Sequence, residues 1–148
     1  MTTPDSHLPD PQLDSQFYAG VPFKRLLAWL VDLTAVVAIS FALIIASLGL
    51  LALFAVPVSF LVNFTYRFLT INNRSATWGM RLMGIELRNK EGNHLSTSEA
   101  AFHTALFVVL FMSVLGIFAS MLAMLVTDRG RGIHDLILGT TAINRPAD

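Results

Sequence analysis

Between Asp32 and Arg67 the chain runs for 34 residues without one Asp, Glu, Lys or Arg. A second uncharged run of 28 residues separates Glu99 from Asp128. A membrane-spanning helix needs ~20 consecutive apolar residues. A soluble helix must also carry a polar face, and these runs offer no charged residue for one. They therefore exclude a water-soluble bundle and require lipid around much of the chain. Composition agrees: charged residues make up 14% of the 148, against ~25% in ordinary soluble domains, and mean hydropathy is +0.62. There is no cysteine, which removes disulfide and thiolate chemistry from consideration. The first apolar run extends well past the ~7–15 residues of a signal-peptide core, so it is expected to stay in the mature protein.

Residues 1–20 hold Pro4, Pro9, Pro11, Asp5, Asp10 and Asp14 but no Lys or Arg, which predicts a disordered acidic tail. Pro22 suits the first turn of a helix. The apolar block from Phe23 to Leu69 is too long for one crossing and fits two, turning near Ser47 and Gly49. The expected helices are 23–46 and 50–69, with Pro57 as a kink inside the second. Residues 70–99 are polar and basic, with Arg74, Arg81, Arg88 and Lys90. Within them, GIELRNKEGNHLS reads as two short strands around an Asn89–Gly92 turn. An interfacial amphipathic helix over Met80 to Leu87 is the alternative. Ser96 and Glu99 form a capping box ahead of the third apolar block.

That block, Ala100 to Val126, suits either one tilted helix or a hairpin bent near Ser113 to Gly116. The charge distribution favours the hairpin. All ten Lys and Arg lie at the start of the first helix, from the end of the second helix to the third block, or after the third. A hairpin puts all of them on one side, as positive charge on the cytoplasmic face prefers. The expected fold is an all-α membrane protein. Three apolar blocks give three or four helices, with a short cytoplasmic β-hairpin or amphipathic insert. The transmembrane domain is placed at residues 21–145, with 146–148 as a C-terminal tail.

Arg25 and Asp32 lie two helical turns apart on one face, about 10 Å along the axis, too far to pair directly. Asp32 costs ~2.5–3.5 kcal/mol in mid-membrane on insertion scales, so it needs polar company inside the bundle. Arg25 at the interface also reads as a positive-inside anchor. Ser59 and Asn63, four apart on the second helix, are candidate company for Asp32, or plain interhelical hydrogen-bond glue. Ala38, Ala42 and Ala46 form a stripe of small residues, as do Gly116 and Ser120, and both read as packing faces. Trp29 and Trp78 read as interfacial anchors. The four His residues have no metal-ligand spacing, and no metal or other cofactor is expected. Gly130 and Gly132, between arginines, suit a lipid headgroup better than a bound phosphate. No nucleophile triad, phosphate-binding loop or nucleic-acid motif is present.

Asp135, in GIHDLILGTT next to His134, completes a pattern. Arg25 in PFKRLLAWLVD, Asp32 in the same helix and Asp135 resemble the one arginine and two aspartates that name the RDD family of small bacterial membrane proteins. TWGMRLMGIELRNKEGNHLS resembles that family's Gly- and Lys/Arg-rich loop. The likeness covers residues 19–145. His103 departs from it, standing where many relatives carry an arginine. The resemblance implies that Arg25, Asp32 and Asp135 act together, which requires Asp135 to return to the side of Arg25. It also implies transport, including cation/proton antiport, as the activity proposed for such proteins.

Two functions follow as expectations. In one, the Arg-Asp-Asp cluster, supported by Asn63, Ser59 and His134, serves a cation/proton or small-solute transporter. In the other, the cluster is a structural clasp in a non-transporting scaffold or regulatory module. Neither is an enzyme. The expected setting is the bacterial inner membrane with a cytoplasmic N-terminus. The expected partners are the lipid bilayer, cations or protons, and a second copy or another membrane protein, with no nucleic acid.

Overall fold

The structure, a computed structural model, describes residues 7–146. Helix α1 spans Val21–Ala46, entered through Gly20 at φ +69° and with Pro22 in its first turn. It ends at Ser47, and Leu48 and Gly49 adopt left-handed conformations that reverse the chain. A 3-10 turn at Leu50–Phe54 leads into α2, Ala55–Arg74. Pro57 therefore lies in the first turn of α2 and not at a mid-helix kink. There its missing N–H leaves no intrahelical bond unmade. Helix α2 also runs beyond the expected end at Leu69, to Arg74, because Ile71, one turn past Arg67, is buried in the apolar core.

The short helix α3, Trp78–Leu82, starts at Thr77, whose side chain accepts from the Met80 N–H. Strand β1, Ile85–Arg88, follows. Helix α4, Thr97–Phe111, opens with the Ser96/Glu99 capping box that the sequence spacing predicts. The chain breaks at Met112–Ser113 and continues as α5, Val114–Val126, at 118° to α4. Helix α6, Ile133–Leu138, and strand β2, Thr141–Asn144, complete the fold.

The β element differs from expectation in its pairing. The Asn89–Gly92 turn is present, with Gly92 at φ +78° and its N–H donating to the Asn89 carbonyl at 2.9 Å. The chain after the turn, however, joins α4 without forming a strand. β1 pairs antiparallel with β2 from the C-terminus, in register Ile85 to Asn144 and Arg88 to Thr141. Of the Met80–Leu87 stretch, only the part up to Leu82 is helical.

Burial in α1 is inverted relative to a soluble helix. Its buried stripe is Val21, Arg25, Ala28, Asp32, Val36 and Ser40, while Phe23, Leu30, Leu33, Val37, Phe41 and Ile45 are exposed. Polar groups inside and apolar groups outside is what lipid demands. Helices α1 and α2 are long and apolar enough to cross a membrane, and the α4–α5 pair is a third span only if the bent pair counts as one. With 15 and 13 residues, each arm of that pair falls short of the ~20 that a crossing needs. The protein is thus a helical membrane protein with a small two-stranded β element.

The apolar core lies at the polar end of the bundle, where Val21, Ile71, Met80, Ile85, Leu87 and Ala142 pack together. Residues 7–20 also belong to this end, so the expected disorder does not hold there. Leu8 is buried, and the Tyr18 hydroxyl donates to the Pro9 carbonyl at 2.8 Å. The Asn144 amide donates to the Gln16 and Ala19 carbonyls. A turn that gives apolar surface and carbonyls to a neighbour gains order that composition alone does not foretell. The rest of the expected tails, residues 1–6 and 147–148, lies outside the described residues.

Candidate functional site

Asp32 sits on the buried stripe of α1 and is 2% exposed. Its Oδ1 accepts from the Tyr66 hydroxyl at 2.6 Å and from the Gly79 backbone N–H at 2.9 Å. Its Oδ2 meets Arg67 Nη2 at 3.5 Å. The Tyr66 hydroxyl in turn accepts from the Trp78 N–H at 3.2 Å. One carboxylate thus ties α1 to α2 and to the start of α3. Gly79 makes this approach feasible: a Cβ there would lie 2.1 Å from the Ala28 carbonyl oxygen and 2.8 Å from Asp32 Oδ1. Only a residue without a side chain lets the backbone of α3 reach the carboxylate.

Asp135 forms the second centre and is fully buried. As the third residue of α6 it accepts through Oδ2 from the Gly132 N–H at 3.0 Å, closing the first turn of its own helix. Arg25 Nη1 lies 2.6 Å from the same oxygen. Oδ1 accepts from His103 Nε2 and from the Thr140 hydroxyl, each at 3.0 Å. This carboxylate therefore joins α1, α4 and α6. Arg25 Nη2 also donates to His134 Nε2 at 3.2 Å. Since a guanidinium can only donate, His134 Nε2 is the acceptor and the ring proton sits on Nδ1.

The charge states follow from these contacts. Burial would raise the Asp135 carboxyl, but the Arg25 guanidinium and the His103 hydrogen bond hold it well below the usual carboxylate range. Burial drives the His134 imidazole down to about 3, against the attraction of Asp135, so it is neutral at physiological pH. Two arginines and two aspartates then balance. His103, His134 and Asp135 could each present one ligand atom to a metal, all within 4.8 Å of one another. Arg25 stands against this, since its guanidinium already occupies Asp135 Oδ2 and His134 Nε2. A cation there would face a fixed positive charge at contact distance.

Beside the two centres lies a cavity of about 380 Å³ between α1, α4 and α5. Arg25, Asp32, Arg67, His103 and His134 form its polar end, and aromatic and aliphatic side chains form the rest. Arg67 stacks on Phe107 there, with its guanidinium carbon 3.6 Å from the ring centre.

Of the residues expected to act together, Arg25 and Asp135 pair directly, and His134 joins them through Arg25. Asp32 belongs to a separate centre, and neither Arg25 nor Asp135 hydrogen-bonds to it among the described residues. Ser59 and Asn63 are half-buried and make no hydrogen bond to Asp32 among the described residues. Asp32's partners are instead Tyr66, Arg67 and Gly79, none of which the sequence reading singled out. Arg67 falls inside the expected second helix with no role assigned to it there, though Tyr66 and Phe68 around it signal burial. His103, read as a departure from the family pattern, is a direct partner of Asp135.

No curated protein and no solved structure in the comparisons matches this chain. The sequence profile of the RDD family matches residues 19–139, a range that includes Arg25, Asp32 and Asp135. On that match, the chain belongs to the RDD family.

Proposed function

We propose that this protein is a bacterial inner-membrane module whose buried arginines and aspartates form a structural clasp. The clasp holds α6 and β2 against α1 and α4. The module scaffolds or regulates a membrane partner; it catalyses no reaction and binds no nucleic acid. The observation that supports this best is the saturation of Asp135. A carboxylate has about four lone-pair sites. Here His103, Thr140 and the Gly132 N–H donate three hydrogen bonds, and the Arg25 guanidinium closes the site as an ion pair at 2.6 Å. A cation could bind only by displacing Arg25, which would leave a buried guanidinium unpaired.

In this reading α4 and α5 form a re-entrant hairpin, so the termini and the basic segments share the cytoplasmic face. The exposed alanines Ala38, Ala42 and Ala46 offer α1 a small-residue face for a second copy or another membrane protein.

Transport of a cation, a proton or a small solute is the second reading. The cavity that meets both Asp32 and Arg67 favours it. One experiment separates the two. The purified protein is reconstituted in liposomes with an internal pH-sensitive dye, and cation gradients are applied. The clasp reading expects no flux from wild type and a lower unfolding temperature for Arg25→Ala in detergent. Flux that is lost in a folded Asp32→Asn variant would establish transport and refute a purely structural cluster.

A further inference from the structure

We propose that the cavity between α1, α4 and α5 binds a neutral, carbonyl-bearing lipophile drawn from the bilayer. Its size, about 380 Å³, falls in the ~300–1,000 Å³ range of small-ligand sites. Its walls include Phe23, Leu26, Trp29, Phe111, Met121 and Leu125. Phe23 and Leu125 are 64% and 74% exposed, on helices bathed in lipid. Whatever enters past them must therefore be soluble in hydrocarbon.

The polar end defines the headgroup. Arg67 Nε and His134 Nδ1 are buried without hydrogen-bond partners. Both residues line the cavity, and Arg67 is 3% exposed and His134 0%. Arg67 Nε is a donor by chemistry, and His134 Nδ1 is one because Nε2 accepts from Arg25. Among the unmatched groups at this end, these two donors call for an acceptor oxygen from the ligand. His103 Nδ1, also buried there without a partner, is an acceptor because its Nε2 donates to Asp135, and takes no part in that contact. The charge balance then chooses among acceptors. Arg25, Arg67, Asp32 and Asp135 already cancel, so an anion would bury an uncompensated charge, whereas a ketone or quinone oxygen adds none. The aromatic side chains Phe23, Trp29 and Phe111 suit a flat ring. The proposal is independent of the clasp, because it concerns binding alone.

Trp29 supplies the assay. The chain has two tryptophans, so Trp78→Phe leaves the indole in the cavity wall as sole reporter. This full-length protein in lipid nanodiscs is titrated with menadione, a neutral quinone that quenches indole on contact. The expected result is saturable quenching, distinct from the linear quenching of simple partition. Met121→Phe narrows the cavity without touching the polar end and should weaken binding at least tenfold. Arg67→Lys keeps the charge toward Asp32 but removes Nε–H and should also weaken it about tenfold, with the far-ultraviolet circular dichroism spectrum unchanged. In competition, 2-dodecanone should displace the quinone and dodecane should not. Linear quenching only, equal displacement by dodecane, or stronger displacement by dodecanoate would each overturn the proposal. So would full affinity in a folded Arg67→Lys variant.

Discussion

Gly79→Ala should destabilise the protein, although alanine favours helix formation. In an exposed helix the substitution gains about 0.8–1 kcal/mol. Gly79 has no left-handed backbone angle to protect, so propensity alone predicts stabilisation. The contacts predict the opposite. The new Cβ would stand 2.1 Å from the Ala28 carbonyl oxygen and 2.8 Å from its carbon, both rigid backbone atoms of α1. Helix α3 must retreat, and overpacking of this kind costs about 1–3 kcal/mol. Retreat also lengthens the 2.9 Å hydrogen bond from Gly79 N–H to Asp32, and a bond to a charged group is worth about 1.5–3 kcal/mol. The net loss is about 2–5 kcal/mol. At about 2–4 °C per kcal/mol for a chain of this size, the unfolding temperature should fall by roughly 4–20 °C. Thermal unfolding in detergent, followed by circular dichroism at 222 nm, measures it, with Leu82→Ala on the exposed side of α3 as control. An unfolding temperature equal to or above wild type for Gly79→Ala would refute the close approach of α3 to α1.

Tyr66→Phe removes one donor from Asp32 and the acceptor of the Trp78 N–H; it should cost about 1.5–3 kcal/mol in the same melts. Stability should decline below pH 6.5. The folded His134 resists protonation down to about 3, so between these values the unfolded chain binds the extra proton, at about 1.4 kcal/mol per pH unit. The Asp135 contribution, from a lowered carboxyl, is present above the unfolded value near 3.8 and is lost only as pH falls below it. His134→Gln should flatten the slope between pH 4 and 6.5, seen as a smaller spread of unfolding temperatures. With the N-terminus cytoplasmic, as proposed, fused green fluorescent protein at the C-terminus should fluoresce and fused alkaline phosphatase should stay inactive, since Asn144 bonds to Gln16 and Ala19 and so lies on the side of α1's start.

The uncharged runs made the spans legible, because only lipid tolerates them. Local signals also read through: the Ser96/Glu99 cap and the Asn89–Gly92 turn depend on residues within a few positions of each other. The pairing of β1 with β2 did not, since its register joins Ile85 to Asn144 across the whole third block. Thr140, Thr141 and Ile143 are β-branched, which suits a strand but names no partner. The site was half legible for a related reason. An intramembrane aspartate announces that it needs donors, but not which ones. Asp32 takes a backbone N–H from Gly79, and a glycine carries no chemical signature of that role. Arg67 gave no sign of its role because a lone arginine in an apolar helix does not name the carboxylate that it meets. The helix that carries it runs on to Arg74, past the expected end at Leu69.

The far-apart members of the clasp also set an order of events during synthesis. Arg25 enters the membrane at the start of the first span, while its counter-charge, Asp135, is made only near the end. At ~5–20 residues per second, the arginine waits on the order of ten seconds without its aspartate. During that interval it must stay with lipid phosphates or the insertion machinery. The arrival of α6 withdraws it into the bundle. A nascent chain halted before Ile133 would therefore carry Arg25 without either Asp135 or His134 to receive its guanidinium.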